Sequence, residues 1–338
     1  MARRGGWRRA GRSGRFRYLD ARGRRITEPE QIERIEALAI PPAWKDVWIS
    51  PRPGAKLQAT GVDAAGRRQY LYHPEYRATR EQAKFDKLVR FAEGLPSLRE
   101  AMAEHISLDP FEPEWTCAVA TRLINLGWFR VGDERYARRH KSFGITTLRR
   151  RHVTVRGSRI AFRFRGKSRV WVHTALVDSE LADAIRKLQD LRGGGRLFRY
   201  RCNGDFVNLT ARRLNEYIRE YLGEDFSAKD FRTWGGTLIA AIELAERGPA
   251  VTEAEGKRVV AAVMRRVGER LGNTAAVARS SYVSPAVVEQ YLDGRTIADF
   301  RPRHLRVVGA RDLGLDLEEQ ALVSLLRSWR IRRARVAA

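Results

Sequence analysis

Residues 153–172 read VTVRGSRIAFRFRGKSRVWV, and apolar and polar residues alternate in three short runs within this stretch. The runs are 153–155, 160–164 and 170–172, and they are separated by Gly157-Ser158 and Gly166-Lys167. A period of two with glycine at the connections is typical of antiparallel strands joined by tight turns. The stretch therefore predicts a small three-stranded antiparallel sheet.

The sequence on both sides of this predicted sheet has the spacing of α-helices. Apolar residues recur at helical intervals in 119–126 before the sheet and, after it, in 181–191, 209–221, 232–247 and 257–271. A last amphipathic segment from about Leu317 ends in a run of arginines. These patterns predict a mostly helical domain over residues 97–338 that carries one small sheet.

A smaller domain is predicted for residues 1–93. Its arginine-rich opening segment is interpreted as a flexible basic arm that leads into a short strand near 16–19. The alternation in 47–49 and 69–72 indicates further strands, and in the latter it puts Gln69 and Leu71 on one face and Tyr70 and Tyr72 on the other. We expect a small mixed sheet here.

Helix signals set the expected boundary between the two domains. Thr79-x-x-Gln82 has the form of a capping box and predicts a helix that runs to about Ala92. The sequence EGLP at 93–96 should break that helix, so the boundary is placed there. The expected fold class is α+β: a small N-terminal β-sheet domain with flanking helices, and a larger, mostly α-helical domain with a three-stranded antiparallel sheet.

Charge is the strongest compositional signal, because 65 basic residues face 40 acidic ones and the formal net charge is +25. A surface this positive binds polyanions by releasing their condensed counterions, so nucleic acid is the expected partner. No apolar run approaches the roughly 18 residues of a membrane span. The two cysteines are too few for a disulfide framework or a zinc site. We therefore expect an intracellular protein without a membrane partner.

Two kinds of chemistry are disfavoured by the residues themselves. Gly166-Lys167-Ser168 resembles the end of a phosphate-binding loop, but Ala161 stands where that motif needs glycine, and strand pattern lies on both sides. Carboxylates are scattered rather than clustered as a metal-dependent nuclease requires. We expect no nucleotide, no metal and no other cofactor.

A set of polar residues stands out by its order along the chain. The set consists of Arg130 in the sequence FRVG, Lys167 at a predicted hairpin turn, Arg232 within KDFRTWGG at 229–236, Asn273 after Gly272, and Tyr282 nine residues later. Each residue alone has an ordinary explanation as a solvated or core side chain. Their combination in this order points to a common site.

This ordered set, together with GRRQYLY at 66–72, resembles the type IB DNA topoisomerases, specifically the small bacterial and poxvirus enzymes, over nearly the whole chain. The resemblance implies that Tyr282 is the nucleophile and that four residues complete the catalytic site: Arg130, Lys167, Arg232 and Asn273. It also implies DNA contacts by Arg67, Gln69, Tyr70, Tyr72, Tyr136 and Lys229. Poxvirus and eukaryotic relatives carry His at the position of Asn273, which puts a proton-transfer role there in doubt.

The resemblance also implies an activity. Such an enzyme relaxes positive and negative supercoils by transient cleavage of one strand, through a 3′-phosphotyrosyl intermediate, without ATP or metal. Arg130 and Arg232 would stabilise the negative charge of the transition state, and Lys167 would protonate the leaving 5′ oxygen. A monomer would clamp duplex DNA in the bacterial cytoplasm, associated with the nucleoid.

Two alternatives remain at this point. A tyrosine recombinase uses a related nucleophile, but such enzymes usually carry His three residues before the second arginine, where this chain has Lys229. A non-enzymatic basic DNA-binding protein would explain the charge but not the ordered residues. A second tyrosine, Tyr291, also follows Asn273, but its apolar helical surroundings predict a core position.

Overall fold

The computed structural model describes residues 5–301 and 314–337. The chain divides into two compact units, Met1–Lys84 and Phe85–Ala338. The expected α+β class is confirmed, since one unit is built on a sheet and the other is mostly helical.

The first unit contains a five-stranded antiparallel sheet with the strand order β2-β1-β3-β4-β5. Its strands are β1 Trp7–Arg12, β2 Arg15–Leu19, β3 Lys45–Ile49, β4 Leu57–Val62 and β5 Arg68–Tyr72, and its first helix is α1 Pro29–Ala37. A second helix, α2 Pro74–Asp86, follows the sheet. The small core consists of Ile26, Ile35, Val47, Ile49 and Ala59.

The second unit is a helical body with two small sheets. Its helices are α3 Leu88–Ile106, α4 Pro113–Gly127, α5 Glu134–His140, α6 Ser179–Asp190, α7 Ala211–Leu222, α8 Ala228–Arg247, α9 Glu253–Leu271, α10 Ala275–Ser281, α11 Pro285–Leu292 and α12 Leu317–Ala337. The strands β6 Val153–Arg156, β7 Arg159–Arg165 and β8 Trp171–Val177 form the predicted three-stranded antiparallel sheet. A hairpin of β9 Arg199–Cys202 and β10 Asp205–Asn208 was not predicted.

The helix break expected at residues 93–96 is wrong. Helix α3 runs through Pro96 without interruption, and the division between the two units lies before it, after Lys84. Three large side chains on this helix, Phe91, Leu95 and Leu98, are fully buried in the core of the second unit. Their packing outweighs the one backbone hydrogen bond that proline removes.

Two further local predictions differ from the structure. From Trp7 onward the opening segment is not a flexible arm, because β1 pairs with both β2 and β3. Residues 1–4, which the predicted arm also included, lie outside the described part of the chain. The capping box at Thr79 is also wrong: α2 begins at Pro74, so Thr79 lies inside the helix and donates its Oγ1 hydrogen to the carbonyl of Glu75 at 2.9 Å. Proline at the first helical position marks this start, as its fixed φ favours.

A buried ion pair attaches α12 to the helical body. Glu319 is 4% exposed and accepts two hydrogen bonds from the guanidinium of Arg99, at 2.7 and 2.8 Å. The indole of Trp234 donates a further bond at 3.2 Å. Burial alone would raise the pKa of Glu319, but the hydrogen bonds and charge of Arg99 outweigh it and lower that pKa. The carboxylate is therefore held in its ionised form.

Replacing Glu319 by Gln should lower the free energy of unfolding by about 3 kcal/mol, because the largely buried guanidinium of Arg99 loses its counter-charge. Urea denaturation at neutral pH measures this loss. A carboxyl whose pKa is lower in the folded than in the unfolded protein stabilises the folded state fully at pH values above its unfolded-state pKa. This stabilisation is lost as the pH falls through the folded-state pKa. The difference between the two proteins should therefore shrink in acid.

The adjacent residue is the matched control. Glu318 pairs with Arg301 in a more exposed setting, with Arg301 half exposed. Glu318→Gln should cost less than about 1 kcal/mol. Equal losses for the two variants would show that burial adds nothing to the pair at Glu319.

Candidate active site

The site is built around the first turns of α8, which carries the KDFRTWGG sequence. Its start is a capping box in which Asp230 Oδ2 accepts from both the backbone N–H and the hydroxyl of Ser227, each at 2.9 Å. The other oxygen of Asp230 pairs with Lys87 at 2.6 Å. This cap fixes the beginning of the helix and, with it, the position of Arg232 one turn inside.

Arg232 is only 5% exposed, and its guanidinium lies where two other helices end. Nη1 donates to the carbonyl of Trp128 at 2.5 Å, and Nη2 donates to the carbonyl of Leu271 at 2.7 Å. Trp128 and Leu271 lie at the C-terminal ends of α4 and α9. The last backbone carbonyls of a helix have no hydrogen-bond partner within that helix, and they carry the negative end of its dipole. Among the described residues, Arg232 Nε has no hydrogen-bond partner. Burial, and then the nearby charge of Arg130, lowers the pKa of Arg232 to about 10.

Arg130 and Asn273 are hydrogen-bonded to each other. Arg130 Nη2 donates to Asn273 Oδ1 at 2.8 Å and to the carbonyl of Gly272 at 3.4 Å. The amide Nδ2 of Asn273 donates to the carbonyl of Leu271 at 3.2 Å. Burial lowers the pKa of Arg130. One oxygen of Asn273 thus orients one guanidinium of the site.

Tyr282 follows α10 directly and is packed against α8. The guanidinium carbon of Arg232 lies 5.0 Å from the centre of its ring, and its backbone carbonyl accepts from Thr237 Oγ1 at 3.1 Å. Burial alone would raise the pKa of the phenol, but the positive charges of Arg232, Arg130 and Lys167 outweigh it and lower that pKa. The phenol of Tyr282 therefore ionises more readily in this site than the phenol of a free tyrosine does in water.

The two glycines of KDFRTWGG allow this close packing. A Cβ on Gly236 would lie 2.9 Å from both Cβ and the carbonyl oxygen of Tyr282. A Cβ on Gly235 would lie 2.3 Å from the indole nitrogen of Trp128. Neither position has room for a larger residue without displacing a part of the site.

Lys167 lies on the turn between β7 and β8. Its side chain is exposed, and the next two residues, Ser168 and Arg169, have positive φ values of 59° and 62°. Within residues 5–301 and 314–337, its ammonium group makes no hydrogen bond or ion pair in the structure. Its charge contributes to the lowered pKa of Tyr282, so the ammonium group and the phenol interact electrostatically.

A cleft of about 430 Å³ opens beside the two arginines. Besides Arg130 and Arg232, residues of β8 and α9 line it: Trp171, Val172, His173, Thr174, Arg266, Glu269, Arg270 and Leu271.

The structure brings together four of the five predicted catalytic residues, Arg130, Arg232, Asn273 and Tyr282, and the charge of Lys167 acts on Tyr282. Tyr291, by contrast, is 2% exposed and packed in the core, as the sequence predicted.

The other two residues of this unit that were expected to contact DNA lie on helix starts. Tyr136 is 41% exposed on α5, whose start is capped by the carboxylate of Asp133. Lys229 is exposed on the first turn of α8. Both side chains are accessible to a ligand.

Four expected DNA-contacting residues lie on or next to β5 in the first unit. Tyr70 and Tyr72 are 50% and 42% exposed, and their rings stack with centres 6.3 Å apart. Arg67 and Gln69 both bind the carboxylate of Asp63, at 2.7 and 2.8 Å, and these hydrogen bonds lower the pKa of Asp63 to about 2. The tyrosines are therefore open, whereas Arg67 and Gln69 are held by a carboxylate.

Basic residues that were not predicted to contact DNA lie on the same face of this sheet as Tyr70 and Tyr72. Register runs across the sheet from Arg8 to Trp48, Thr60 and Tyr70, so these side chains share one face. The exposed arginines of the first hairpin also lie on this face: Arg8, Arg12, Arg15 and Arg17. Arg15 and Arg17 are two residues apart, as side chains on one face of a strand are. This spacing was not used, because the opening segment was interpreted as a flexible arm.

Two features are absent from the parts of the chain that the structure describes. No group of three or more His, Cys, Asp or Glu side chains is arranged to hold a metal ion. No helix combines the length and apolar character needed to cross a bilayer.

The family models and the known proteins that this chain resembles are described as DNA topoisomerases. Residues 73–298 match the family model described as eukaryotic DNA topoisomerase I, catalytic core, and residues 15–63 match that of bacterial DNA topoisomerase IB, N-terminal domain. DNA topoisomerase 1B of Acanthamoeba polyphaga mimivirus is 34% identical over 271 residues, which cover 78% of this chain and 80% of that protein. DNA topoisomerase I of monkeypox virus is 23% identical over 242 residues, 70% of this chain and 73% of that protein.

One solved structure is also similar, at a much lower level. The XerH site-specific recombinase bound to its difH substrate aligns with a TM-score of 0.36 and 14% identity, over 59% of this chain and 51% of that chain. Similarity this low supports no conclusion about function.

The electrostatics of Tyr282 can be tested by titration. NMR of the protein with ¹³C-labelled tyrosine rings should show one phenol with a pKa below the ordinary value of about 10, and Tyr282→Phe should remove that signal. Arg232→Gln should raise this pKa, because burial stays and the nearest charge is lost. Tyr291 serves as the control, since burial raises its pKa. An unchanged Tyr282 pKa in the Arg232 variant would refute the assigned cause.

Proposed function

Because the chain belongs to the type IB DNA topoisomerases, we propose that it cleaves one strand of duplex DNA through Tyr282, allows the helix to unwind, and reseals the strand. Membership rests on the family match over residues 73–298 and on the 34% identity to the mimivirus enzyme, and it favours this function over the recombinase and the non-enzymatic alternatives. In the proposed reaction, positive and negative supercoils relax without ATP or metal.

The observation that carries the proposal is the phenol of Tyr282 among three cations. A tyrosine hydroxyl with its ordinary pKa is a weak nucleophile, and nearby positive charge favours the phenolate that attacks. Arg232, Arg130 and Lys167 supply this charge, and Arg232 does so from directly over the ring. In the proposed step the phenolic oxygen bonds to phosphorus, and the bond from phosphorus to the 5′ oxygen breaks.

Arg130 and Arg232 are proposed to bind the non-bridging oxygens of the attacked phosphate. Negative charge grows on these oxygens in the transition state, and donors that are already fixed stabilise it without reorganisation. Backbone carbonyls and Asn273 hold both guanidiniums in place, while each guanidinium has five N–H donors. Donors therefore remain for the phosphate after the structural bonds are made.

Lys167 is proposed as the general acid for the leaving strand. The 5′ oxygen needs a proton as it departs, and an exposed ammonium on a turn can deliver one. Because the phosphotyrosyl bond conserves the energy of the broken phosphodiester, the reverse of these steps reseals the strand.

Asn273 is proposed to position Arg130 rather than to transfer a proton. Its Oδ1 accepts from Arg130 at 2.8 Å, and an amide neither gains nor loses a proton in the working pH range. One N–H of its amide remains for a phosphate oxygen after the bond to Leu271.

The duplex is proposed to be bound by a monomer, through both units. The net charge of +25, the exposed Tyr70 and Tyr72, and Tyr136 and Lys229 near the starts of α5 and α8 support this proposal. Phosphate contacts would give most of the affinity and base contacts the selectivity. The expected location is the bacterial cytoplasm, in association with the nucleoid.

The decisive experiment is relaxation of supercoiled plasmid by the Tyr282→Phe variant. The unmodified protein should relax plasmids of either handedness in the presence of a chelator and without ATP. Tyr282→Phe should bind duplex DNA but relax nothing and form no covalent adduct, because the variant lacks only the phenolic oxygen.

Tyr291→Phe is the matched control, since it removes the same atom from a core tyrosine, and it should keep activity. Detergent trapping, digestion and mass spectrometry identify the linked residue. DNA attached to any residue other than Tyr282 would overturn the site assignment, and relaxation that requires magnesium and ATP would overturn the function.

The role of Lys167 has a separate test. Lys167→Ala should slow cleavage of ordinary DNA by at least about 10²-fold, and it should regain speed on a substrate with sulfur in place of the leaving 5′ oxygen. A thiolate departs without a proton, so rescue is specific for loss of the acid. Arg169→Gln, on the same turn, should leave the ratio of the two rates unchanged. Absence of rescue in the Lys167 variant would assign the acid to another group.

A further inference from the structure

The outward face of the three-stranded sheet is strongly basic. Register pairs Arg156 with Arg159, Arg163 with His173, and Arg165 with Trp171, so all six side chains point to the same side. All six are exposed, and we call them the basic sheet face. The opposite side of the same sheet carries Ile160, Phe162 and Phe164, which are buried in the core.

Nothing on this sheet neutralises the charge of the basic sheet face. No Asp or Glu occurs from Val153 to Val177. In the described part of the chain, Arg156, Arg159, Arg163 and Arg165 form no ion pair with a carboxylate in the structure. Like charges directly across two strands, as at Arg156 and Arg159, destabilise a sheet. A bound polyanion would remove that repulsion.

Trp171 gives the basic sheet face an aromatic centre. It is 49% exposed, and the guanidinium carbons of Arg163 and Arg165 lie 5.5 and 5.2 Å from its ring centre. The ring of His173 lies 5.7 Å away. Cation–π contacts of this kind hold the two guanidiniums in place beside the ring. Aromatic side chains interleaved with cations are typical of nucleic-acid-binding surfaces.

The basic sheet face is continuous with the candidate active site. Trp171 and His173 also line the cleft that contains Arg130 and Arg232. Lys167 lies on the turn that joins β7 to β8, between Arg165 and Trp171 along the chain. The face therefore begins beside the proposed general acid and extends away from it.

We propose that the basic sheet face binds the phosphate backbone of the duplex on the leaving-strand side of the cleavage point. The inference rests on the proposed function, because the side is assigned through Lys167, which would protonate the leaving 5′ oxygen. In the proposed reaction the other segment stays joined to Tyr282, so the leaving-strand segment is the one that can rotate after cleavage. Contacts from Arg163 and Arg165 would therefore hold it and slow its rotation.

The first test is the salt dependence of duplex binding by Arg163→Gln/Arg165→Gln. Each lost phosphate contact reduces the slope of log K against log salt by about 0.9, so the double variant should lose about 2 from the slope. The control is Arg212→Gln/Arg219→Gln on α7, which removes the same charge from arginines that pair with Glu216 and Glu224. A slope equal to that of the control would overturn the proposal.

The second test identifies which side of the cleavage point the face contacts. Single supercoiled DNA molecules held in magnetic tweezers report the number of turns released per cleavage event. The Arg163/Arg165 variant should release several-fold more turns per event than the control variant, because the rotating duplex has lost its contacts. A reduced salt slope with unchanged turns would place the contact on the other side and overturn the assignment.

Failure of the proposed function would be seen separately. It would leave the unmodified protein and the control variant without the Tyr282 adduct, whereas the salt slope still reports binding by the face. Thermal unfolding of both double variants checks that these exposed substitutions leave the fold intact.

Discussion

A buried guanidinium connects the fold to the site. Arg232 donates to the last carbonyls of α4 and α9 from its place on α8, so three helices meet at one side chain. Taking a charge out of water is costly, and the negative ends of two helix dipoles offset part of that cost. The backbone that follows each helix end carries another residue of the site, Arg130 after Trp128 and Asn273 after Leu271. The guanidinium that would act on phosphate thus also fixes the positions of its neighbours.

Much of the secondary structure around the site was predictable, because it is encoded in the periodicity of apolar residues and in the positions of glycines. The sheet predicted within 153–172 and the helices that follow were indicated by alternation and by helical spacing. The last strand runs on to Val177, and α8 begins at Ala228, four residues before the predicted start at Arg232. The contacts of Arg232 were not predictable, because backbone carbonyls have no sequence signature. The predicted break of helix α3 at Pro96 was wrong, because the buried packing of Phe91 and Leu95 outweighs the helix-breaking tendency of the Gly and Pro residues there.

The two larger sheets follow the same physical rule. An antiparallel sheet can bury one face and leave the other in water, and here the open faces carry arginines and aromatic rings rather than mixed charges. Tyr70 and Tyr72 lie with the arginines of the first hairpin, and Trp171 lies between Arg163 and Arg165. The first hairpin was overlooked because a high arginine content suggests a solvated tail, although alternation is compatible with a strand. Composition alone does not separate the two.

The contact between Gly236 and Tyr282 has a mechanical consequence. The backbone carbonyl of Tyr282 accepts a hydrogen bond from Thr237, and Tyr282 lies against Gly236 on α8. The residues of this helix from Ala228 to Thr237 are almost all buried. A DNA strand joined to Tyr282 would therefore pull on the interior of the helical body rather than on a surface loop. Torque in the DNA would then be borne by the part of the protein that deforms least, and the broken end would stay in register with the strand it must rejoin.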